Sequence, residues 1–178
     1  RIMSDNIESI EKAILGALLI ESSAIDRISE NIRPESFGFA FHKQLFITIM
    51  SLHNANEPID ILTVVRRAKE LGFDRNKDFS WKCCDISSSV SSSAHLEFHC
   101  KILKQAEISR ALGTIAAELP AKLSDQTNDI FELLEGVETR LNAIQSNLTE
   151  NKFAHISKGI AEKISQMDSP QKELVGIA

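Results

Sequence analysis

Tyrosine is absent from the 178 residues, glycine occurs seven times, proline four times and tryptophan once. Sheet proteins draw on aromatics for their strands and on Gly and Pro for frequent turns, so these shortages count against an all-β fold and favour helix. The glycines are also isolated from one another. That excludes the phosphate-cradling loops GxGxxG and GxxxxGK[ST], whose backbone must approach its ligand closely. Cysteine is scarce too: three residues, two of them adjacent at Cys83 and Cys84, make no disulfide framework, and a reducing, cytoplasmic setting is the expectation. No apolar run approaches the roughly eighteen residues of a membrane span, so no membrane partner is expected. The opening residues do not have the form of a signal peptide. Basic residues are outnumbered, 20 against 25 acidic ones, for a net charge of −5. An acidic chain is poorly suited to binding phosphate backbones with its whole surface. It opens on Arg1 and closes on the apolar Val175-Gly176-Ile177-Ala178, which reads as a piece of a longer protein.

What is present is helical periodicity. Ile7, Ile10, Ile14, Ala17 and Leu18 share one face of a helix expected to begin after Asp5 or Asn6, with Asp5 and Glu8 as a capping pair. Ser22 or Ser23 is expected to cap a short helix carrying Ile25, Ile28 and Ile32, ended by Pro34. A helix from about Phe41 to Leu52 is apolar on most sides, which marks it as central. After the turn at 54–58, Asp60 caps a helix with Ile61, Val64, Val65, Ala68 and Leu71 facing inward and Gly72 closing it. A weaker helix surrounds Phe79, Trp81 and Ile86. The serine-rich stretch 87–93 breaks the chain and supplies N-caps for a long helix through Leu96, Leu103, Leu112, Ile115 and Leu119, which Pro120 is expected to stop. Residues 129–148 then carry Ile130, Leu134, Val137, Leu141, Ile144 and Leu148 at alternating spacings of four and three, a heptad seam capped by Asn128 or Asp129. Two striped helices joined by a short loop become antiparallel neighbours, so this seam is expected to be spent mostly inside the chain. Last, Ile156, Ile160, Ile164 and Met167 form a thin ridge on a short helix with no evident partner.

The fold class expected is therefore all-α. It comprises a small globular helical bundle over 1–93, an antiparallel helical hairpin over 94–150 that forms one domain with it, and a short linker helix over 151–178.

Catalytic chemistry is missing. There is no HExxH, nucleophile elbow or calcium loop. His95, His99 and Cys100 put possible ligands one helical turn apart, but no second pair completes a metal site, and an ordinary helix face is the simpler account. His42 reads as a core-edge histidine, and Cys83 and Cys84 as free core thiols. Arg66, Arg67, Lys69, Arg75 and Lys77 concentrate positive charge. Either a solvated face or a docking patch for an acidic partner or nucleic acid would explain them, though no aromatics interleave to stack on bases. No catalytic, cofactor-binding or metal residue is assigned.

Several of these runs resemble the N-terminal domain of DnaB-type replicative DNA helicases. Glu11-Lys12-Ala13-Ile14-Leu15-Gly16-Ala17-Leu18-Leu19 is similar to E-x-x-[VL]-L-G-x-[LM]-[LM]. Phe37 followed by His42-Lys43-Gln44-Leu45-Phe46 matches F-x4-H-[RK]-x-I-F, and Pro58-Ile59-Asp60-Ile61-Leu62-Thr63 matches P-[IV]-D-x-x-T. Ala94-His95-Leu96, Ile102-Leu103-Lys104 and Arg110 stand where that family has A-N-I, I-V-R and a later Arg. The chain departs at Lys77-Asp78, where the family often has Gly-Gly, at Val90-Ser91, where it has Thr-Pro, and at His99, where it has Tyr.

The resemblance implies a subunit of a homo-hexameric, ATP-dependent DNA helicase acting at the replication fork. Hairpins would pair between subunits, with Glu132, Glu135, Glu138, Leu141, Ile144 and Leu148 at the interface, and the collar would dock primase and in some systems a loader. The ridge Ile156, Ile160, Ile164 and Met167 would pack on a neighbouring motor. ATP, Mg2+ and DNA would belong to a motor domain beyond Ala178, with no cofactor in the present residues and a cytoplasmic, nucleoid-associated location. Two other readings remain open: a free-standing helical adaptor or replication-accessory protein, and a small DNA-binding protein using the basic patch.

Overall fold

The computed structural model describes residues 2–28, 32–74, 78–90, 92–125 and 127–146, with backbone alone for residues 2–5. Every regular element among them is helical, as expected. In order these are α1 (Ile2–Ile20), the 3-10 helices η1 (Ser22–Arg27) and η2 (Pro34–Ser36), α2 (Ala40–Asn54), α3 (Ile61–Glu70), α4 (Phe79–Ser88), α5 (Leu96–Ser124) and α6 over residues 130–146. The chain separates into two compact units, Arg1–Asp125 and Gln126–Ala178.

The first unit holds the core. Ile14, Leu15 and Leu18 of α1 are fully buried, as are Leu45, Ile49 and Leu52 of α2, Val64 and Ala68 of α3, and Leu103 of α5. Phe46, Phe79, Cys83, Ile86, Leu96 and Cys100 complete the same cluster. Each large side chain so buried contributes roughly 1.5–3 kcal/mol. α2 is buried, as its all-round apolarity implies. The helix that meets most others, however, is α1, which packs against α2, α4, α5 and η1. Gly16 makes the α4 approach possible. A Cβ there would lie 2.6 Å from Val90 Cγ2 and 2.8 Å from the Ile86 carbonyl oxygen. The expected close helix approach is thus the C-terminal end of α4 resting on α1.

α3 begins as read from the sequence. Asp60 accepts the Thr63 amide at 2.9 Å while the Thr63 hydroxyl accepts the Asp60 amide at 3.0 Å, a reciprocal cap. Gly72 ends the helix with φ +75°, the left-handed conformation glycine adopts without a Cβ penalty.

Other boundaries differ. α1 is already helical at Ile2, so Asp5 and Glu8 sit inside it rather than at its start. The segment after it is a six-residue 3-10 helix with Glu21 rather than a serine at its N-cap. Ile25 within it, and Ile28 and Ile32 after it, are buried. Leu71, expected inside, is 40% exposed. In α4 the buried residues Phe79, Cys83 and Ile86 follow one another at i, i+4 and i+7, so Trp81 falls on the opposite side and is 70% exposed. The serine tract starts within α4, where Ser88 and Ser89 hydroxyls bond back to the Asp85 and Ile86 carbonyls and satisfy the helix end.

Pro120 does not stop α5. It forfeits one backbone bond to residue 116, but Ala116 is exposed and water can take that carbonyl, so the helix runs on to Ser124. There the Ser124 hydroxyl bonds the Pro120 carbonyl at 2.9 Å.

In the second unit, Asp129 caps α6 as expected, its Oδ1 accepting the Phe131 amide at 2.7 Å. Among the described residues of the seam, Val137 and Ile144 are half-buried and the others are exposed. Ile130 and Leu134 are 55% and 56% exposed, and Leu141 also faces outward.

Candidate functional site

A buried carboxylate organises the first unit. Glu11 lies on the same stripe of α1 as Ile7, Ile14 and Leu18, and it is fully buried. Its Oε2 accepts from His42 Nδ1 at 2.7 Å, and its Oε1 accepts from the Gly38 amide at 2.7 Å. Both oxygens are therefore engaged. His42 is buried too, with the Phe39 and Phe41 rings beside it at 5.3 and 6.1 Å. One carboxylate thus joins α1, α2 and the strand-like segment after η2.

The same segment is held from its other side by α5. The Ser36 side chain, fully buried, donates to Glu107 Oε2 at 2.7 Å and accepts from the Arg33 amide at 3.2 Å. Arg110 Nη2 donates to the Ser36 carbonyl. Lys104 pairs with Glu107 at 3.0 Å. Phe37 between these anchors is buried and its ring lies 5.0 Å from that of Phe46. Glu11, Phe37, His42 and Arg110, scattered over a hundred residues of sequence, therefore converge on one short segment.

The residues expected to carry interactions are dispersed. Glu132, Glu135, Glu138 and Leu141 are exposed on α6 and Ile144 is half-buried; Leu148, Ile156, Ile160, Ile164 and Met167 lie outside the described residues. Phe131 is the most exposed apolar residue of α6, at 77%. In the basic cluster, Arg66 and Arg67 both reach the Glu57 carboxylate, and Arg67 Nε lies 3.2 Å from Glu70. Much of that charge is neutralised at home. Lys69 is exposed, while Arg75 and Lys77 fall outside the described residues. Lys82 pairs with Asp78 at 2.6 Å, holding that carboxyl below its ordinary range, and its ammonium sits 5.2 Å from the centre of the Phe41 ring.

No catalytic constellation forms from the remaining titratable groups described. Burial pushes the Cys83 and Cys100 thiols up to about 12, which leaves them protonated and unreactive, whereas Cys84 is exposed. Partial burial, with His95 beside it, lowers His99; the two rings stand 6.4 Å apart. Among the described residues no group of three or more His, Cys, Asp or Glu is placed to hold a metal ion.

Two features escaped sequence reading. Glu11 was legible in principle: positions 7, 11, 14 and 18 make an unbroken helical stripe, and a carboxylate inside an apolar stripe must have a partner. Glu57, which gathers Arg66 and Arg67, carried no comparable mark.

The family model described as "DnaB-like helicase N terminal domain" matches residues 3–105. The chain is 27% identical over 171 residues to the replicative DNA helicase DnaB of Rhodothermus marinus, covering 94% of this chain and 18% of that protein. It spans less than half the length of the first curated relatives it matches. Among solved structures, the N-terminal domain of DnaB helicase from Mycobacterium tuberculosis is similar with a TM-score of 0.70 at 20% identity, covering 76% of this chain and 95% of that one. The N-terminal domain of DnaB helicase from Helicobacter pylori, described together with its interactions with primase, gives 0.60 at 17% identity, covering 68% of this chain and 94% of that one. At these identities the structural likeness is one of fold.

Proposed function

The chain belongs to the DnaB-like helicase N-terminal domain family, and from that membership we propose that it is the assembly and partner-docking domain of a hexameric replicative DNA helicase. Its work is association, not chemistry. The observation that carries this reading is the row Ile130, Leu134 and Leu141 on α6, apolar, spaced for a helical seam and exposed to solvent. Such a row on a surface helix is stabilised when a second copy covers it. Glu132, Glu135 and Glu138 flank the seam, where charge selects register and partner, and Ile144 and Leu148 extend it.

The ridge Ile156, Ile160, Ile164 and Met167 is assigned to a linker helix docking on the motor of a neighbouring subunit. ATP, Mg2+ and DNA are handled by that motor, in a part of the parent protein outside this sequence. Primase is the expected docking partner, as reported for the Helicobacter pylori neighbour, with a helicase loader as a further one. Arg66 and Arg67 are drawn to Glu57, so the basic cluster is expected to add little DNA affinity, and a cytoplasmic setting suits the whole assignment.

Sedimentation equilibrium of the chain tests the proposal. Self-association is expected, weakened at least about tenfold by Leu134→Asp with Leu141→Asp; each buried leucine supplies enough free energy for that. A chain that stays monomeric at all concentrations, or a double variant that associates as well as the wild type, would favour the adaptor reading.

A further inference from the structure

α5 has two unequal parts. Its first two turns are set in the core through Leu96, Cys100 and Leu103, all buried. Beyond Arg110, Ile115 alone is buried; Leu112, Gly113, Thr114, Ala116, Ala117 and residues 120–124 are exposed. The helix therefore leaves the bundle as an arm. From residue 110 to 124 that arm is roughly 21 Å long at 1.5 Å per residue. Anchored only as far as Leu103, it would pivot about that point. A change of about 10° in its axis would move Ala117, roughly 21 Å beyond Leu103, by roughly 4 Å and the tip by roughly 5–6 Å.

The last attachments before the arm are Glu107 and Arg110, one helical turn apart and both on the η2 segment. Glu107 takes the Ser36 hydroxyl at 2.7 Å, and Arg110 takes the Ser36 carbonyl. Their anchor is itself immobilised. Ser36 is fully buried, Phe37 is packed against Phe46, and the Gly38 amide is fixed by the fully buried Glu11. The Arg110 guanidinium also lies against Gly38, whose added Cβ would sit 3.4 Å from both Arg110 Nη1 and Glu11 Oε1. Lys104 holds Glu107 from the preceding turn at 3.0 Å. A packing contact alone would not need a carbonyl, a hydroxyl, a guanidinium and two carboxylates at one place. Directional bonds from two successive turns define an axis as apolar packing does not.

We infer that Ser36, Glu107 and Arg110 form a clasp that fixes the direction of the α5 arm, and with it the geometry in which copies of this chain assemble. Arg110 is thus a positioning residue for assembly, acting from within one copy. The role in assembly rests on the assembly reading above; the clasp itself does not.

The test measures arm direction and association separately on the full chain. Nitroxides are placed on the natural Cys84, exposed on α4, and on an Ala117→Cys change in the arm, while the buried Cys83 and Cys100 stay unlabelled. Distances are read by double electron–electron resonance in protein diluted with unlabelled chain. The unaltered clasp is expected to give one narrow distribution. Arg110→Ala, an exposed position whose loss leaves the core intact, is expected to shift or broaden it by about 4 Å. It should also weaken self-association at least about tenfold with unchanged helical circular dichroism. Ser36→Ala, which removes the Glu107 bond and the acceptor of the Arg33 amide but keeps the carbonyl that Arg110 reaches, should act in the same direction and more weakly, and it carries the test if Arg110→Ala fails to fold. An unchanged distance distribution in the folded variants overturns the clasp. A moved arm with undiminished association keeps the clasp and overturns its role in assembly. If the unaltered chain never associates, the assembly reading fails, and the distance distribution still decides for or against the clasp.

Discussion

Glu11 concentrates the physics of the molecule in one side chain. Leaving a carboxylate in the core is costly unless its oxygens are satisfied, and here His42 and the Gly38 amide satisfy them. Glu11→Ala removes the acceptor and leaves a buried imidazole N–H and a backbone amide unpaired. A loss of about 3–5 kcal/mol is expected, read as a lowered urea midpoint at constant slope. A midpoint within error of the wild type would show that water or a rearranged loop satisfies both donors. This residue also marks how far a sequence can be read. The stripe 7, 11, 14, 18 says that position 11 faces inward. It does not say which donors meet it, because Gly38 and His42 arrive through a loop and a second helix whose mutual placement no local pattern encodes. The motif residues Phe37, His42 and Arg110 could be picked out by resemblance alone; their common purpose needed three dimensions.

At the scale of elements, apolar spacing located every α-helix among the described residues, because a buried stripe must repeat with the helical period. The ends were harder to read. α4 outlasted its expected end through serine hydroxyls that bond back to carbonyls, and α5 passed through Pro120 at a place where Ala116, which loses its backbone partner, is exposed. Both outcomes turn on which groups water can reach, a property of the fold rather than of the segment. Gly16 offers the sharpest test of helix contact. Alanine is intrinsically better in a helix by about 1 kcal/mol, but its Cβ would press on the Ile86 carbonyl at 2.8 Å, which is backbone and cannot rotate away. Crowding of this kind costs about 1–3 kcal/mol, so Gly16→Ala is expected to lower the melting temperature. Trimming Val90 to Ala in the same background should restore only part of the loss. A raised melting temperature would mean that α4 gives way freely.

For the molecule as a whole, every residue of the main hydrophobic cluster lies between Ile14 and Leu103. The first compact unit, ending at Asp125, should therefore fold without the residues C-terminal to it. A chain shortened to residues 1–125 is expected to keep its thermal midpoint within a few degrees, with self-association lost along with α6. A collapse of the midpoint would place essential core contacts in the later residues. Division of labour of this kind would suit the proposed assembly domain. The part that must stay folded and the part proposed to find a partner draw on different side chains, and substitutions in the α6 seam are expected to alter assembly without threatening the bundle.

The single tryptophan adds a practical consequence. Trp81 is 70% exposed on α4, and the chain has no tyrosine. Its intrinsic fluorescence is therefore already that of an indole in water. Emission will change little as the core melts, so a denaturation curve followed by fluorescence would suggest a protein that never unfolds. The same property makes Trp81 a clean optical reporter, without any attached dye, for whatever covers the outer side of α4.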